Sequence, residues 1–282
     1  MEKYESFYAE KDPNRVIGSI ELPSPDLYQR IIMLEKLFEN CLKGVVLDVG
    51  AGPGIQSARL AITQNDRVIL TDASVKAMQL AARTFERRRL SGDFVVCDSA
   101  GLPFRDNSIS SVICLEVLEH LDNDLEALRE ISRVMTPASQ VVISCPNLHF
   151  PFLLDPIKKL QSTRGELRDL DHIGNCSPFI GPSLGHKRLY TKERISNLAD
   201  LCQLKVASFA TTGHEGLVSM LMLGRLVVRI VSRNHESSPD NLRASSFVKA
   251  LIRVAFLALR IENKILCRSK DGMTLYAVLT KS

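Results

Sequence analysis

At 282 residues the chain is longer than one small core requires and about the length of one large α/β domain with additions. Its 45% hydrophobic and 24% charged residues are those of an ordinary soluble globular protein, which excludes a disordered or fibrous composition. The net charge of +4 is unevenly spread. From Gly213 onward there are 11 Lys/Arg against 5 Asp/Glu, whereas the preceding 212 residues carry 25 against 27, so a boundary is expected near Gly213.

The opening "MEKYESFYAEKDPN" is polar and charged and lacks the apolar stretch of a secretory signal. The seven cysteines, at 41, 97, 114, 145, 176, 202 and 267, include no C-x-x-C pair. The expectation is free, mostly buried thiols in a reducing, cytoplasmic setting. Residues 1–43 read as an N-terminal helical cap.

Short β-branched runs then alternate with amphipathic stretches. Strands are predicted at Val45–Val49, Arg67–Thr71, Asp93–Cys97, Ser111–Leu115, Gln140–Cys145 and Leu204–Ala210, with "TLYAVLTK" as the last. Ser74 is a predicted N-cap for a helix whose Val75, Met78, Ala82 and Phe85 recur at helical spacing. Asp122 or Asn123 opens a second helix with Leu125, Leu128 and Ile131 inward, stopped by Pro137. This alternation predicts an open, largely parallel sheet joined by right-handed crossovers and covered by helices on both faces.

The stretch "VVLDVGAGPGIQS" places Gly50, Gly52 and Gly54 directly after the first strand and before a helix. Such a turn opens a nucleotide-binding unit, because bare backbone permits unusual dihedrals and close approach of a ligand. The spacing does not fit G-x-G-x-x-G, since the sixth position is Ile55 or Ser57 depending on the starting glycine. Asp48 argues in the same direction: a carboxylate at the strand's end repels a pyrophosphate and favours a ligand carrying positive charge. S-adenosylmethionine has an ammonium, a sulfonium and no phosphate.

With these residues in view, "LDVGAGPG" resembles the D-x-G-x-G-x-G loop of class I S-adenosylmethionine-dependent methyltransferases. The rest of the family's pattern follows in order. "VILTDAS" places Asp72, followed by Ala73, 18 residues after Gly54, where the resemblance implies an acid that holds both ribose hydroxyls. "DFVVCDSAGLPF" places Asp98, followed by Ser99, where the family's aspartate accepts from the adenine amino group. "LPFRDNSISSVICLEVLEHL" and "ALREISRVMTPASQVVISCPN" are similar to the fourth and fifth strand blocks of the small-molecule, quinone-methyltransferase-like branch. The resemblance covers roughly residues 25–212 and the final strand, and it implies a Rossmann-like seven-stranded sheet over 44–212 and 273–282.

Two departures are visible. The turn usually written K-P-G-G is "TPAS", so a position that tolerates positive φ lacks glycine. The fourth strand ends in "CLEVLEH" rather than the N/D-P-P-Y motif of base or glutamine methylation, which points away from nucleic-acid and protein-glutamine acceptors.

Methyl transfer is an in-line displacement in which alignment and exclusion of water contribute much of the rate, and a base is needed only where the nucleophile loses a proton. Glu116 and His120 stand just beyond the fourth strand, on the edge where such sheets bind ligands, and are the candidate catalytic residues. Glu116 is also expected to face the cofactor's methionine end. Residues 147–190 replace a short connection with a long one, the place of the family's substrate lid. Asp171, His172, Cys176 and His186 fit no zinc spacing, and no metal is expected.

Residues 213–272 read as a helical insert before the last strand. Arg225, Arg229 and Arg233 recur every four residues, while Lys249, Arg253, Arg260, Lys264 and Arg268 fall within one narrow stripe on a helix. Apolar residues fill the remainder. Two readings stay open: packing on the domain or in a homodimer, or contact with an anionic bilayer on the inner face of the membrane. Charges interrupt both stretches before a span is reached, and the stripe lacks the interleaved aromatics of a nucleic-acid site. The sequence therefore predicts methyl transfer to a small-molecule or lipid-linked acceptor. The alternative is a cofactor-binding protein without transfer activity that serves as a membrane-associated or regulatory partner.

Overall fold

The computed structural model describes residues 8, 25–38, 44–64, 67–149, 187–213, 261 and 272–281. In chain order the elements are α1 (Pro25–Phe38), β1 (Val46–Val49), α2 (Ile55–Gln64), β2 (Val68–Asp72), α3 (Val75–Arg88), β3 (Asp93–Val96) and β4 (Ile109–Leu115). A 3-10 turn (Leu118–His120), α4 (Asp124–Val134), β5 (Met135–Pro146), α5 (Lys192–Leu201), β6 (Leu204–Thr212) and β7 (Thr274–Lys281) follow.

The strands form one sheet in the order β3-β2-β1-β4-β5-β7-β6. All neighbouring pairs are parallel until β7, which runs antiparallel between β5 and β6. β1 and β4 lie adjacent where the order reverses, and the crevice beyond their carboxyl ends is where an open α/β sheet takes a ligand.

Alternation along the strands fills two layers. Leu47, Val49, Val112, Val141, Ile143 and Leu279 pack under α4 and α5 through Leu128, Ile131 and Ile195. Their neighbours on the other face, among them Ile113, Val142 and Tyr276, meet Met33 and Leu34 of α1 and Leu60 of α2, while Val68 and Leu70 meet Met78 and Phe85 of α3. A strand's period of two thus assigns Asp48, between Leu47 and Val49, to the face covered by α2.

Local chemistry sets most element ends. The Ser74 hydroxyl accepts from the Ala77 N–H at 3.1 Å, and Asn123 rather than Asp122 caps α4 by accepting from the Glu126 N–H at 3.2 Å. Two expectations are corrected. Val75 is 47% exposed, because the buried stripe of α3 runs instead through Ala77, Met78, Leu80, Ala81, Thr84 and Phe85. Pro137 does not stop α4: the helix ends at Val134 and β5 begins at Met135. Pro137 lies in the irregularity where the register passes from Ile109↔Met135 to Ser111↔Gln140, a place where a missing N–H costs no ladder bond. The turn "TPAS" keeps the left-handed conformation although it lacks glycine, for Ala138 adopts φ +59°.

Cys97, Cys114, Cys145 and Cys202 are free thiols, and Cys97 alone of these four is not buried. Among the described residues no helix is long and apolar enough to cross a membrane. The expected stripe of 213–272 and most of the 147–190 segment lie outside the described residues.

Candidate active site

The carboxyl edge of the sheet gathers the candidate residues. Gly50, Gly52 and Gly54 all have positive φ, +72°, +54° and +72°. At Gly50 the need for glycine is double, because a Cβ there would also run into the Val117 side chain. The loop is fastened across β2: Ala51 N–H donates to Thr71 O at 2.8 Å and Gly52 N–H to Asp72 Oδ2 at 2.9 Å. Asp72 Oδ1 accepts from Ser74 N–H at 2.9 Å, which turns this carboxylate toward the loop. Each oxygen can accept further bonds. Ala73 lies beside it, half-buried.

Asp98 and Ser99 follow β3 on the same edge. Asp98 is exposed, and its Oδ1 accepts from Ala100 N–H at 2.9 Å, which closes a tight turn. Asp72 and Asp98 are tied through the backbone between them, since Cys97 N–H donates to Asp72 O at 3.1 Å.

Asp48 is not at the entrance. Its side chain is buried beneath the loop, where it accepts from the Ser57 hydroxyl of α2. Burial pushes its carboxyl up to about 7, the Ser57 bond opposes this, and the Asp72 charge adds to it. The sequence reading of Asp48 as an open anion is corrected by strand parity: the residue points into the α2 layer.

Glu116 terminates β4 at φ +56°, a strained conformation for a glutamate. Its N–H donates to Ser144 O at 3.0 Å, and its Oε1 accepts from the Ser144 hydroxyl at 2.9 Å. Oε2 pairs with the Arg30 guanidinium of α1 at 3.2 Å, with both side chains about four-fifths buried. Its neighbour Glu119 is fully buried, and burial followed by the Glu116 charge holds it well above the usual carboxylate range. His120 closes the 3-10 turn, its Nε2 lying 3.9 Å from Glu119 Oε1 with the side chain 14% exposed. It does not cap α4, a place held by Asn123.

The roots of both long segments stand on this edge. Tyr190 N–H donates to Pro146 O and Leu148 N–H to Tyr190 O, each at 2.9 Å, so the 147–190 segment leaves and returns at one point. Lys187 N–H donates to Glu119 O at 2.8 Å. The root is held from below, where the buried Tyr190 hydroxyl donates to Asp124 at 2.9 Å and Arg194 reaches the same oxygen at 3.0 Å. The 213–272 segment is pinched likewise: Met273 N–H donates to Gly213 O at 3.1 Å, Asn147 Nδ2 to Gly272 O at 2.7 Å, and Gly213 N–H to Gln29 Oε1 of α1 at 2.8 Å.

Sequence reading thus located Asp72, Asp98, Glu116 and His120 on one edge but missed Glu119, Arg30, Ser144 and Ser57. Glu119 carried a signal, since it stands between Leu118 and His120 beside a named pair. Arg30 and Ser144 come from distant elements and carried none. Among the described residues no cluster of three metal-ligating side chains occurs. His172, Cys176 and His186 lie outside those residues.

Comparison with known proteins gives the class. The family described as a methyltransferase domain matches residues 47–143. Relatives include an uncharacterized protein of Methanocaldococcus jannaschii, 29% identical over 51% of this chain and 59% of its own. An O-methyltransferase of Aspergillus nomiae is 30% identical over 36% of this chain and 49% of its own. A demethylmenaquinone methyltransferase of Renibacterium salmoninarum is 34% identical over 35% and 40% respectively. The chain thus matches about half the length, or less, of several curated relatives. Among solved structures, phosphoethanolamine N-methyltransferase 2 of Haemonchus contortus superposes with a TM-score of 0.56 at 15% identity, covering 90% of this chain and 52% of that one. The [4+2]-cyclase SpnF gives a TM-score of 0.57 at 15% identity, over 90% and 80%. Residues 47–143 thus match a methyltransferase domain, set within a seven-stranded α/β sheet, and the cofactor of that class is S-adenosylmethionine.

The residues fit the cofactor of that class. A loop made bare at Gly50 and Gly52 faces an acceptor-only carboxylate at Asp72, an arrangement suited to ribose hydroxyls that donate to it and unsuited to a pyrophosphate.

Proposed function

We propose that the chain transfers the methyl group of S-adenosylmethionine to a small-molecule or lipid-linked acceptor by in-line displacement. The contact of Asp72 with the Gly52 N–H at 2.9 Å carries this reading, because it aims a carboxylate into the crevice at the switch between β1 and β4. Asp72 and Ala73 would hold the ribose, Asp98 and Ser99 the adenine, and Gly50, Gly52 and Gly54 would admit the ligand to the backbone. Asp48, beneath them, would brace the loop through Ser57 of α2. When bound, the cofactor supplies an electrophilic methyl on a sulfonium.

Glu116, committed to Arg30 and Ser144, is suited to orient the cationic end of the cofactor. His120, partly exposed beside it, is suited to take a proton from the acceptor where the nucleophile carries one. Acceptor recognition is assigned to the segments 147–190 and 213–272, whose roots flank the crevice, and the basic balance of the second favours an anionic or lipid-linked acceptor. Fold alone does not select methyl transfer, as the likeness to a cyclase illustrates.

Release of S-adenosylhomocysteine tests the proposal. The protein is incubated with S-adenosylmethionine and either an aqueous metabolite extract or a lipid extract. Release above a no-extract blank, lost in Asp72→Ala, is the expected result, and the productive extract identifies the acceptor class. Binding of cofactor without release from either extract would overturn transfer and leave a cofactor-binding protein.

A further inference from the structure

Tyr8 lies half-buried against the middle glycine of the loop, although it stands 38 positions before the start of β1. A Cβ at Gly52 would come within 2.8 Å of the Tyr8 hydroxyl and 3.6 Å of its Cζ, so the approach exists only because residue 52 has no side chain. Gly52 is the residue whose N–H reaches Asp72. The phenol is therefore delivered to the same few ångströms as the acid expected to hold the ribose.

The charge inventory says what a phenol could do there. Of the candidate side chains along the described edge, Asp72, Asp98 and Glu116 are carboxyls, a further carboxyl, Asp48, is buried beneath them, His120 stands against Glu119, and the Arg30 guanidinium is paired with Glu116. Such a set receives hydroxyls and an ammonium well, but it opposes the carboxylate that an amino-acid group also carries. A tyrosine hydroxyl is a neutral donor that stays protonated near pH 7, so it can meet that carboxylate without adding charge.

We propose that Tyr8 is a cofactor-binding residue whose hydroxyl donates to the carboxylate at the amino-acid end of the bound cofactor. This rests on the cofactor reading above. The test is calorimetric titration of the parent and Tyr8→Phe with two ligands, S-adenosylhomocysteine and 5′-methylthioadenosine, which shares the thioether nucleoside but lacks the amino acid. Tyr8→Phe should weaken S-adenosylhomocysteine about five- to tenfold, the scale of one charge-assisted hydrogen bond. It should leave the affinity for 5′-methylthioadenosine unchanged. Equal affinity of parent and variant for S-adenosylhomocysteine overturns the proposal. So do equal losses for both ligands, which would make Tyr8 a support of the loop or a ribose contact. A parent that binds neither ligand would overturn the cofactor reading itself, and with it this one.

Discussion

The two ends of the sheet treat charge and backbone strain in opposite ways. At the amino end, cations meet acids or carbonyls. Arg133 reaches Glu130, Asp106 and the carbonyls of Leu102 and Phe104, and Lys281 Nζ donates to the carbonyls of Ser132 and Met135 at 2.7 and 2.8 Å. At the carboxyl end, acids are gathered and buried, with Asp48 and Glu119 both pushed upward by desolvation. Each end also holds a non-glycine residue in the left-handed region. Ala138 sits at φ +59° with a methyl group, and Glu116 at φ +56° with a carboxylate tied to Ser144 and Arg30. Equal dihedrals thus have unequal meanings. At Ala138 the strain places no functional group, whereas at Glu116 it brings a carboxylate to Ser144 and Arg30.

The largest expected effect lies under the loop. Asp48 moves from an ordinary 3.8 in the unfolded chain to about 7 in the folded one. The folded state therefore binds this proton more tightly, and the Asp48 contribution is full at acid pH and lost as pH rises from about 4 to about 7. Asp48→Asn should stabilise the free protein at pH 8 relative to pH 5, by an amount on the order of 3 kcal/mol. Melting temperatures of parent and variant across that range check it, and parallel curves would break the contrast between the ends. Next is Asp72→Ala, which removes the acceptor of the Gly52 N–H and the expected ribose contact. Its affinity for S-adenosylhomocysteine should fall by ~2–3 kcal/mol, about a hundredfold, by calorimetry.

Glycine at the two strained positions sharpens the comparison directly. Glu116→Gly relieves the dihedral but removes the carboxylate that pairs with the largely buried Arg30, so stability should fall by about 1–2 kcal/mol while methyl transfer falls at least about tenfold. Unimpaired turnover would show that the strain at Glu116 is as idle as that at Ala138. The smallest effect is Ala138→Gly. It should raise stability by about 0.5–1 kcal/mol, seen as a few degrees in melting temperature, with no change in cofactor affinity.

Legibility followed distance along the chain. The glycine loop, Asp72 and Asp98 could be read because a strand, its turn and the next helix are consecutive, and their spacing survives in one dimension. The N-cap Ser74 was legible for the same reason, and the cap of α4 to within Asp122 or Asn123, since the donors lie three residues away. Val75 misled because periodicity locates a stripe only to within a residue or so, and packing under Phe85 and Leu70 fixed its centre. The surroundings of Glu116 could not be read, because Arg30 and Ser144 lie 86 and 28 residues away and reach it through α1 and β5.

What the sequence determined by itself was local: β-branched runs that can bury both faces, glycines whose dihedrals other residues avoid, and acids at strand ends. Tertiary structure decided the remainder. It inserted β7 antiparallel between β5 and β6, turned Asp48 inward by the parity of β1, and brought the roots of both long segments to one edge. The physical reason is that strand pairing and carboxylate desolvation depend on neighbours far away in the chain. Propensity and spacing act only over the few residues that a turn or a cap can span.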